Sequence, residues 1–454
     1  MRGPRGAAIA LGVLAALGAA IALTLTGCQS FGASADGERL ARMRLSPEWH
    51  DDHFANPQPM WSDLRDALLH ALSGGPAVEP DGPVPVARTD PAVLAVTPAS
   101  GLRVTWFGHS STLLEVDGAR LLTDPIWSDR ASPVEWAGPH RWYPPTIALA
   151  QLPPVDAVLI SHDHYDHLDM ATIMAMRSSK NVFIVPLGIG AHLARWGIPA
   201  ERIVELDWWQ STHVGALTVT LVPARHASGR LDAQADHTLW GGFALVGDHH
   251  RVYYSGDTGL FAAMTEIGQR FGPFDLALIE AGQYDADWPD WHLGPEQTVL
   301  AAQRVNAKAL IPVHWGLFRL AHHGWTEPAG RLLAAARCTD LQVLTPRPGQ
   351  SIEPGALRPG DSTRWWPDTP WATRVDKPIV ATTDGMRMHR VALPDCPAGP
   401  ASEVECRRYL GGAAIGEAAS GRRPATGYRS WASCSWATRC DFVVQIQSGN
   451  PAPS

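Results

Sequence analysis

The run His162-Asp163-His164-Tyr165-Asp166-His167 constrains this chain more than any other stretch. It follows directly on the apolar Val158-Leu159-Ile160 and continues into Leu168-Asp169. Three imidazoles and two carboxylates crowd into six consecutive positions. Neutral imidazole and carboxylate are the usual ligands of a catalytic divalent metal, above all zinc. His162 and His164 stand two residues apart, so both can face one metal from the end of a strand. The loop can then turn Asp166 and His167 toward a second metal. One such loop does not complete two coordination spheres, so other loops at the same sheet edge must supply the remaining ligands.

Further ligands occur downstream in a consistent order. Pro223-Ala224-Arg225-His226 follows the strand-like Leu217–Val222 and offers a third histidine for the first metal. Tyr254-Ser255-Gly256-Asp257-Thr258-Gly259 ends another strand with a carboxylate, and a carboxylate there can bridge two metals about 3.5–4 Å apart. Ile311-Pro312-Val313-His314 ends a third strand with a histidine for the second metal. Singly, each has a plain alternative: a surface histidine, a turn whose aspartate caps the next helix, a packed histidine. Their joint order behind the first motif favours a two-metal site. The His50-Asp51-Asp52-His53 cluster is not read as a metal site, because no partner ligands frame it.

The pattern resembles the HxHxDH signature of the metallo-β-lactamase superfamily of binuclear metallohydrolases. Longer segments resemble the N-acylphosphatidylethanolamine-hydrolysing phospholipase D family: Trp106-Phe107-Gly108-His109-Ser110-Ser111, the stretch Leu122 to Pro133, Tyr165-Asp166-His167-Leu168-Asp169, Glu205-Leu206-Asp207-Trp208-Trp209, Leu239-Trp240-Gly241-Gly242 and Phe271-Gly272-Pro273-Phe274-Asp275. The resemblance spans about residues 54 to 345. It implies a mixed α/β fold of four αββα layers and two zinc ions, with manganese or iron also compatible with the ligands. By position, His162, His164 and His226 bind one zinc, Asp166, His167 and His314 the other, and Asp257 bridges. It further implies hydrolysis of a phosphodiester of an N-acylphosphatidylethanolamine-like phospholipid by a metal-activated water. Beside the resemblance, Asp166 is a candidate proton acceptor, His109 and Asp124 are candidates for orienting ligands, with a structural hydrogen bond as the alternative, and His292 is a candidate for contact with the phosphate or leaving group. The chain departs from the family at Trp291-His292, where a Gln-His pair is usual, and in Gln283 to Pro289, which lacks the usual Pro-Arg. A lactonase similar to ascorbate-6-phosphate lactonases is the alternative enzyme. A metal-binding envelope protein without catalysis is the alternative from another class.

Around these motifs the pattern is hairpins first, then strand–helix alternation, which fits a layered α/β domain. Strands are expected at Leu102–Phe107, at Thr112–Val116 and Ala119–Thr123 around an Asp117-Gly118 turn, and at Ala157–Ile160, Val182–Val185, Leu217–Val222, Gly242–Val246, Arg251–Tyr254, Leu276–Ile279 and Ala309–Pro312. Helices are expected near Trp61–Leu72, Leu260–Arg270, Pro295–Val305 and Pro328–Arg337.

The ends speak to location. Arg2 and Arg5 precede an apolar stretch from Ala7 to Leu25, and Leu25-Thr26-Gly27-Cys28 resembles a bacterial lipobox. Residues 1–27 are therefore read as a lipoprotein signal peptide, Cys28 as the lipidated residue and 28–53 as a tether. The alternative is an uncleaved membrane-spanning anchor. Both place the hydrolase domain, residues 54–365, outside the cytoplasm beside a membrane. Residues 366–454 read as an appendage in which Cys396, Cys406, Cys434 and Cys440 form two disulfides, and Cys338 reads as a buried small hydrophobe. A net charge of −8 without a basic tract speaks against nucleic-acid binding. The expected partners are a small-molecule or lipid substrate and, through the anchor, a membrane.

Overall fold

The computed structural model describes residues 29–63, 65–66, 77–230, 235–337, 339–373, 376–386 and 390–392. Cys28, Cys338 and the four C-terminal cysteines lie outside these residues, as does most of the helix expected at Trp61–Leu72. Among the described residues no helix is long and apolar enough to cross a membrane.

A short hairpin, β1 (Trp49–His50) and β2 (His53–Phe54), places the His50–His53 cluster on its turn. The first large sheet then begins as a meander of β3 (Leu102–Gly108), β4 (Ser111–Val116) and β5 (Ala119–Thr123). Asp117 and Gly118 both take positive φ at the β4–β5 turn, which suits the strand twist. Three strands add in parallel: β6 (Ala157–Leu159), β7 (Val182–Pro186) and β8 (Ile203–Leu206). The second sheet repeats the plan. β9 (Ser211–Val214), β10 (Leu217–Val222), β11 (Gly242–Val246) and β12 (Arg251–Tyr254) are antiparallel, and β13 (Leu276–Glu280), β14 (Ala309–Val313) and β15 (Gln342–Val343) are parallel. The chain then returns to the first sheet, where β16 (Ser351–Ile352) pairs with β3. A last hairpin joins β17 (Val380–Thr382) and β18 (Arg390–Ala392).

Alternation along the strands sorts the core into layers. Val104, Leu114, Leu159, Leu221, Phe243, Leu278 and Ile311 fill the space between the sheets. Leu113, Leu122, Val158 and Phe183 point the other way, toward α3 (Met170–Ala175) and α4 (Ile189–Arg195). These follow α1 (Gly37–Met43) and α2 (Pro91–Ala95) in the chain. Ala244, Tyr253, Ala277 and Leu310 pack under α5 (Ala263–Phe271), α6 (Pro295–Arg304) and α7 (Glu327–Ala336). The result is helix, sheet, sheet, helix, with the sheets as the two middle layers.

Two expectations need correction. The segment read as a tether lies against the fold from residue 29 onward. Met43 is in the core, Arg39 pairs with the buried Glu205 at 2.6 Å, and the Phe54 amide donates to Asp236 O at 2.8 Å. Its small polar composition hid this, because the docking side chains, such as Leu40 and Met43, are few and scattered among polar neighbours. Nor does packing stop at residue 365. Trp365 and Trp366 are buried against Trp315, and Thr382 bonds through both its amide and hydroxyl to Asp290, at 2.7 and 2.5 Å.

Candidate metal centre

The candidate residues stand at the C-terminal ends of strands, where chain direction gathers the loops of both sheets at one edge. His109 follows β3, Asp124 follows β5, the 162–167 loop follows β6, His226 follows β10, Asp257 follows β12 and His314 follows β14. Asp169 accepts from the Ala171 amide at 3.1 Å and caps α3, so the motif loop ends by entering a helix. His109, Asp124 and His314 all take positive φ, at 52°, 32° and 64°. Such backbone persists only where the surroundings hold it. Here the His109 amide donates to Trp315 O and the His314 amide to His109 O, both at 3.0 Å. Gly256 is also left-handed, and a Cβ there would stand 2.7 Å from Gly241 O and from Ser161 Cβ, so only glycine lets Asp257 approach the motif loop.

Two groups of donors result. In the first, His164 Nδ1 lies 2.9 Å from His162 Nε2 and 3.3 Å from His226 Nε2. Ser161 Oγ donates to Asp124, so His162 Nδ1 carries the proton shared with Ser161 Oγ at 3.0 Å, and His226 Nδ1 donates to Trp291 O at 3.0 Å. Both Nε2 lone pairs therefore point at the same spot. In the second, His167 Nε2 lies 3.2 Å from Asp166 Oδ2 and 3.1 Å from Asp257 Oδ2. His314 Nε2 lies 3.3 and 3.1 Å from the same two oxygens. Asp257 Oδ2 is also 3.8 Å from His162 Nε2 and from His226 Nε2, which places it between the groups.

The electrostatics suit a cation site. Burial, together with the neighbouring imidazoles, holds His162 and His226 well below the ordinary histidine range, and burial lowers His164 too. These three are neutral and ready to ligate. Burial also acts to lower His167, but Asp257, Asp166 and Asp124 lift it well above the ordinary range. Against the same opposition from burial, Asp257, Asp166 and Glu280 raise His314 to about 10. A proton there stands where a metal ion would satisfy two carboxylates. His167 Nε2 and Asp257 Oδ1 are buried without a hydrogen-bond partner, and the donors suit zinc, manganese or iron. The residues therefore fit the metals expected from the sequence.

The supporting residues are as specific. Asp124, fully buried, accepts from His167 Nδ1 at 2.7 Å, from the Ser161 amide at 2.8 Å and hydroxyl at 2.6 Å, and from Tyr254 OH. It holds His167 with Nε2 toward the site. His109 Nε2 donates to Asp166 Oδ2 at 2.9 Å, and burial, aided by His314, pushes its imidazole down to about 4. His292 is not in either triad. Its Nδ1 donates to Glu280 at 2.8 Å, and its ring lines a cleft of about 460 Å³ with Tyr284, Pro289, His322 and Val380. Sequence reasoning missed Glu280. It is fully buried at the end of β13, accepts from the Thr258 amide and stands 3.3 Å from His314 Nδ1. The available signal was a lone carboxylate closing an otherwise apolar strand.

Comparison with known proteins identifies the family. The family model described as a beta-lactamase superfamily domain matches residues 119–315. An uncharacterised protein of Mycobacterium tuberculosis is 48% identical over 332 residues, covering 71% of this chain and 87% of its own. The N-acyl-phosphatidylethanolamine-hydrolyzing phospholipase D 1 of Caenorhabditis elegans is 37% identical over 240 residues, covering 50% of this chain and 67% of its own. Among solved structures, a metallo hydrolase of Ignicoccus hospitalis aligns over 55% of this chain and 97% of its own, at 25% identity and a TM-score of 0.43. The chain belongs to the metallo-β-lactamase superfamily and is a metal-dependent hydrolase of that fold.

Proposed function

We propose that the chain is a binuclear zinc phosphodiesterase acting on N-acylphosphatidylethanolamine-like phospholipids. The observation that carries the two-metal reading is the place of Asp257 Oδ2, 3.1 Å from the Nε2 atoms of His167 and His314 and 3.8 Å from those of His162 and His226. His162, His164 and His226 would hold one ion, and Asp166, His167 and His314 the other. When bound, such a pair supplies Lewis acidity for phosphoryl oxygens and lowers the pKa of a water toward about 7. The relative from Caenorhabditis elegans supports the choice of a phospholipid phosphodiester.

The chain's own residues supply the rest. His109 holds Asp166 by its Oδ2, which fixes the carboxylate so that its other oxygen can take a proton from the attacking water. Glu280 holds His292 by Nδ1, so that Nε2 can face a phosphate or leaving group in the cleft. The apolar side chains of Pro289, Pro378, Ile379 and Val380 line that cleft and suit an acyl-bearing substrate. Acylation at Cys28 and an envelope location belong to the same proposal, since an anchored enzyme meets phospholipid at high local concentration.

The test measures metal content of the full chain and its turnover of N-acylphosphatidylethanolamine vesicles, bis(p-nitrophenyl) phosphate and lactones. The expected result is two zinc ions per chain and release of phosphatidic acid, abolished in His162→Ala and in Asp257→Ala. Lactone opening without phosphodiester cleavage would replace this reading with a lactonase. Two bound ions without turnover of any substrate would favour a metal-binding envelope protein.

A further inference from the structure

Asp163 stands between two candidate ligands, yet its side chain turns away from both. Along an extended segment, alternate side chains point oppositely, so His162 and His164 face the metal donors while Asp163 faces outward. Its Oδ1 accepts from the Gly229 amide at 2.7 Å and its Oδ2 from His192 Nε2 at 3.2 Å. His192 Nδ1 in turn accepts from the Ala33 amide at 3.0 Å, which puts the ring proton on Nε2, where Asp163 needs it. A second relay runs in parallel. The buried Arg230 donates from Nη1 to Asp163 O at 2.5 Å and to Leu168 O at 2.9 Å, bracketing the motif loop. Its Nε donates to Ser30 O at 2.8 Å. The guanidinium lies 4.1 Å from the centre of the Tyr165 ring and 5.2 Å from that of Trp196, and Trp196 Nε1 donates to Gln29 O at 2.8 Å.

We infer that residues 29–33 brace the metal loop, and that His192 and Arg230 are the positioning residues through which they do so. Neither residue touches a metal donor atom. Both fix the backbone and outward side chain from which His162, His164, Asp166 and His167 project. A segment that sequence composition marks as a spacer is then part of what sets metal affinity. The inference rests on the metal reading of the loop.

Gly32 gives a selective test. It takes φ +80°, and a Cβ there would stand 2.0 Å from His192 Nδ1, so Gly32→Ala drives the segment off His192 without touching the site. Zinc affinity of the full chain is measured by chelator competition, and the melting temperature is measured without metal. Supports of this kind typically change metal affinity by about 10- to 100-fold, and that weakening is expected in Gly32→Ala and in His192→Leu. Metal-free stability should fall as well, because Asp163 is buried and loses a partner, so affinity is compared with that of Arg39→Ala at matched stability. His192→Asn, which keeps a donor and an acceptor, should bind zinc nearly as the parent does. Arg39→Ala is the structural control, expected to lower the melting temperature with affinity unchanged, because its partner Glu205 does not contact the loop. Parental affinity in both Gly32→Ala and His192→Leu would overturn the inference, as would loss of affinity only in step with metal-free stability. If Gly32→Ala does not fold, the two His192 variants decide. A parent chain that binds no divalent metal would sink the metal reading itself.

Discussion

Asp124→Asn isolates what one buried carboxylate does for the site. Asp124 takes φ 32°, a left-handed conformation that Asn tolerates as well as Asp, so the backbone is left alone. What changes is charge and acceptor capacity. Oδ2 receives Ser161 Oγ, His167 Nδ1 and Tyr254 OH, while Oδ1 receives the Ser161 amide at 2.8 Å. An amide has one oxygen. Placed among the three donors, it turns its NH2 toward the Ser161 N–H and leaves that buried group unpaired, which costs about 1–3 kcal/mol. The bond from His167 also falls from a charge-assisted one, worth about 1.5–3 kcal/mol, to an ordinary one of about 1 kcal/mol. Together these give about 3 kcal/mol, a large share of a total stability of about 5–15 kcal/mol. With His167 less firmly aimed, zinc affinity should fall about 10- to 100-fold. Urea unfolding in excess chelator reads the first effect and chelator competition the second. An unfolding free energy within about 1 kcal/mol of the parent, with unchanged zinc affinity, would show that Asp124 does not hold the site together as argued.

Three further outcomes are expected. Glu280→Gln should lower kcat about 100-fold with KM little changed, because His292 loses its orienting carboxylate; parental kcat would remove His292 from its role at the phosphate or leaving group. Zinc uptake should release protons, and affinity should rise with pH, because His167 and His314 are held protonated in the metal-free chain. For His314, raised to about 10, the ion-pair contribution to metal-free stability is complete below the ordinary imidazole range and is lost as pH rises through about 10. Calorimetry in buffers of differing ionisation enthalpy would show no proton release if these rings were neutral. Trp365→Ala should destabilise by about 3–5 kcal/mol in urea unfolding, since the ring is buried and stacks 5.4 Å from Trp315; a change too small to measure would mean that the segment carrying Trp365 contributes little to the fold.

Legibility in the sequence follows the physics of each element. β10 and β11 match their expected bounds because one alternates apolar residues with threonine up to Pro223 and the other is an apolar run beyond Gly241. β9 was not legible, since its exposed Ser211 and His213 carry no apolar alternation. α3 and α4 escaped because they are six and seven residues long, too short for a helical period to show. The candidate ligands were legible because each interrupts or ends an apolar strand, and the fold gathers their donor atoms into overlapping groups. Glu280, His192 and Arg230 were not, because their roles depend on partners 12 to 200 residues away.

The closing of the first sheet by β16 has a consequence in time. Thr105 and Ser351, which pair across that junction, are 246 residues apart, and His314 lies 148 residues beyond Asp166. At a synthesis rate of about 5–20 residues per second, the motif loop waits about 7–30 s for its last ligand to be made. When the loop is made it belongs to an unfinished sheet, and His226, Asp257 and His314 follow in turn, the last 148 residues behind Asp166. On the proposed two-metal reading, a nascent chain therefore lacks the complete ligand set, and discrimination between metals falls to the finished domain.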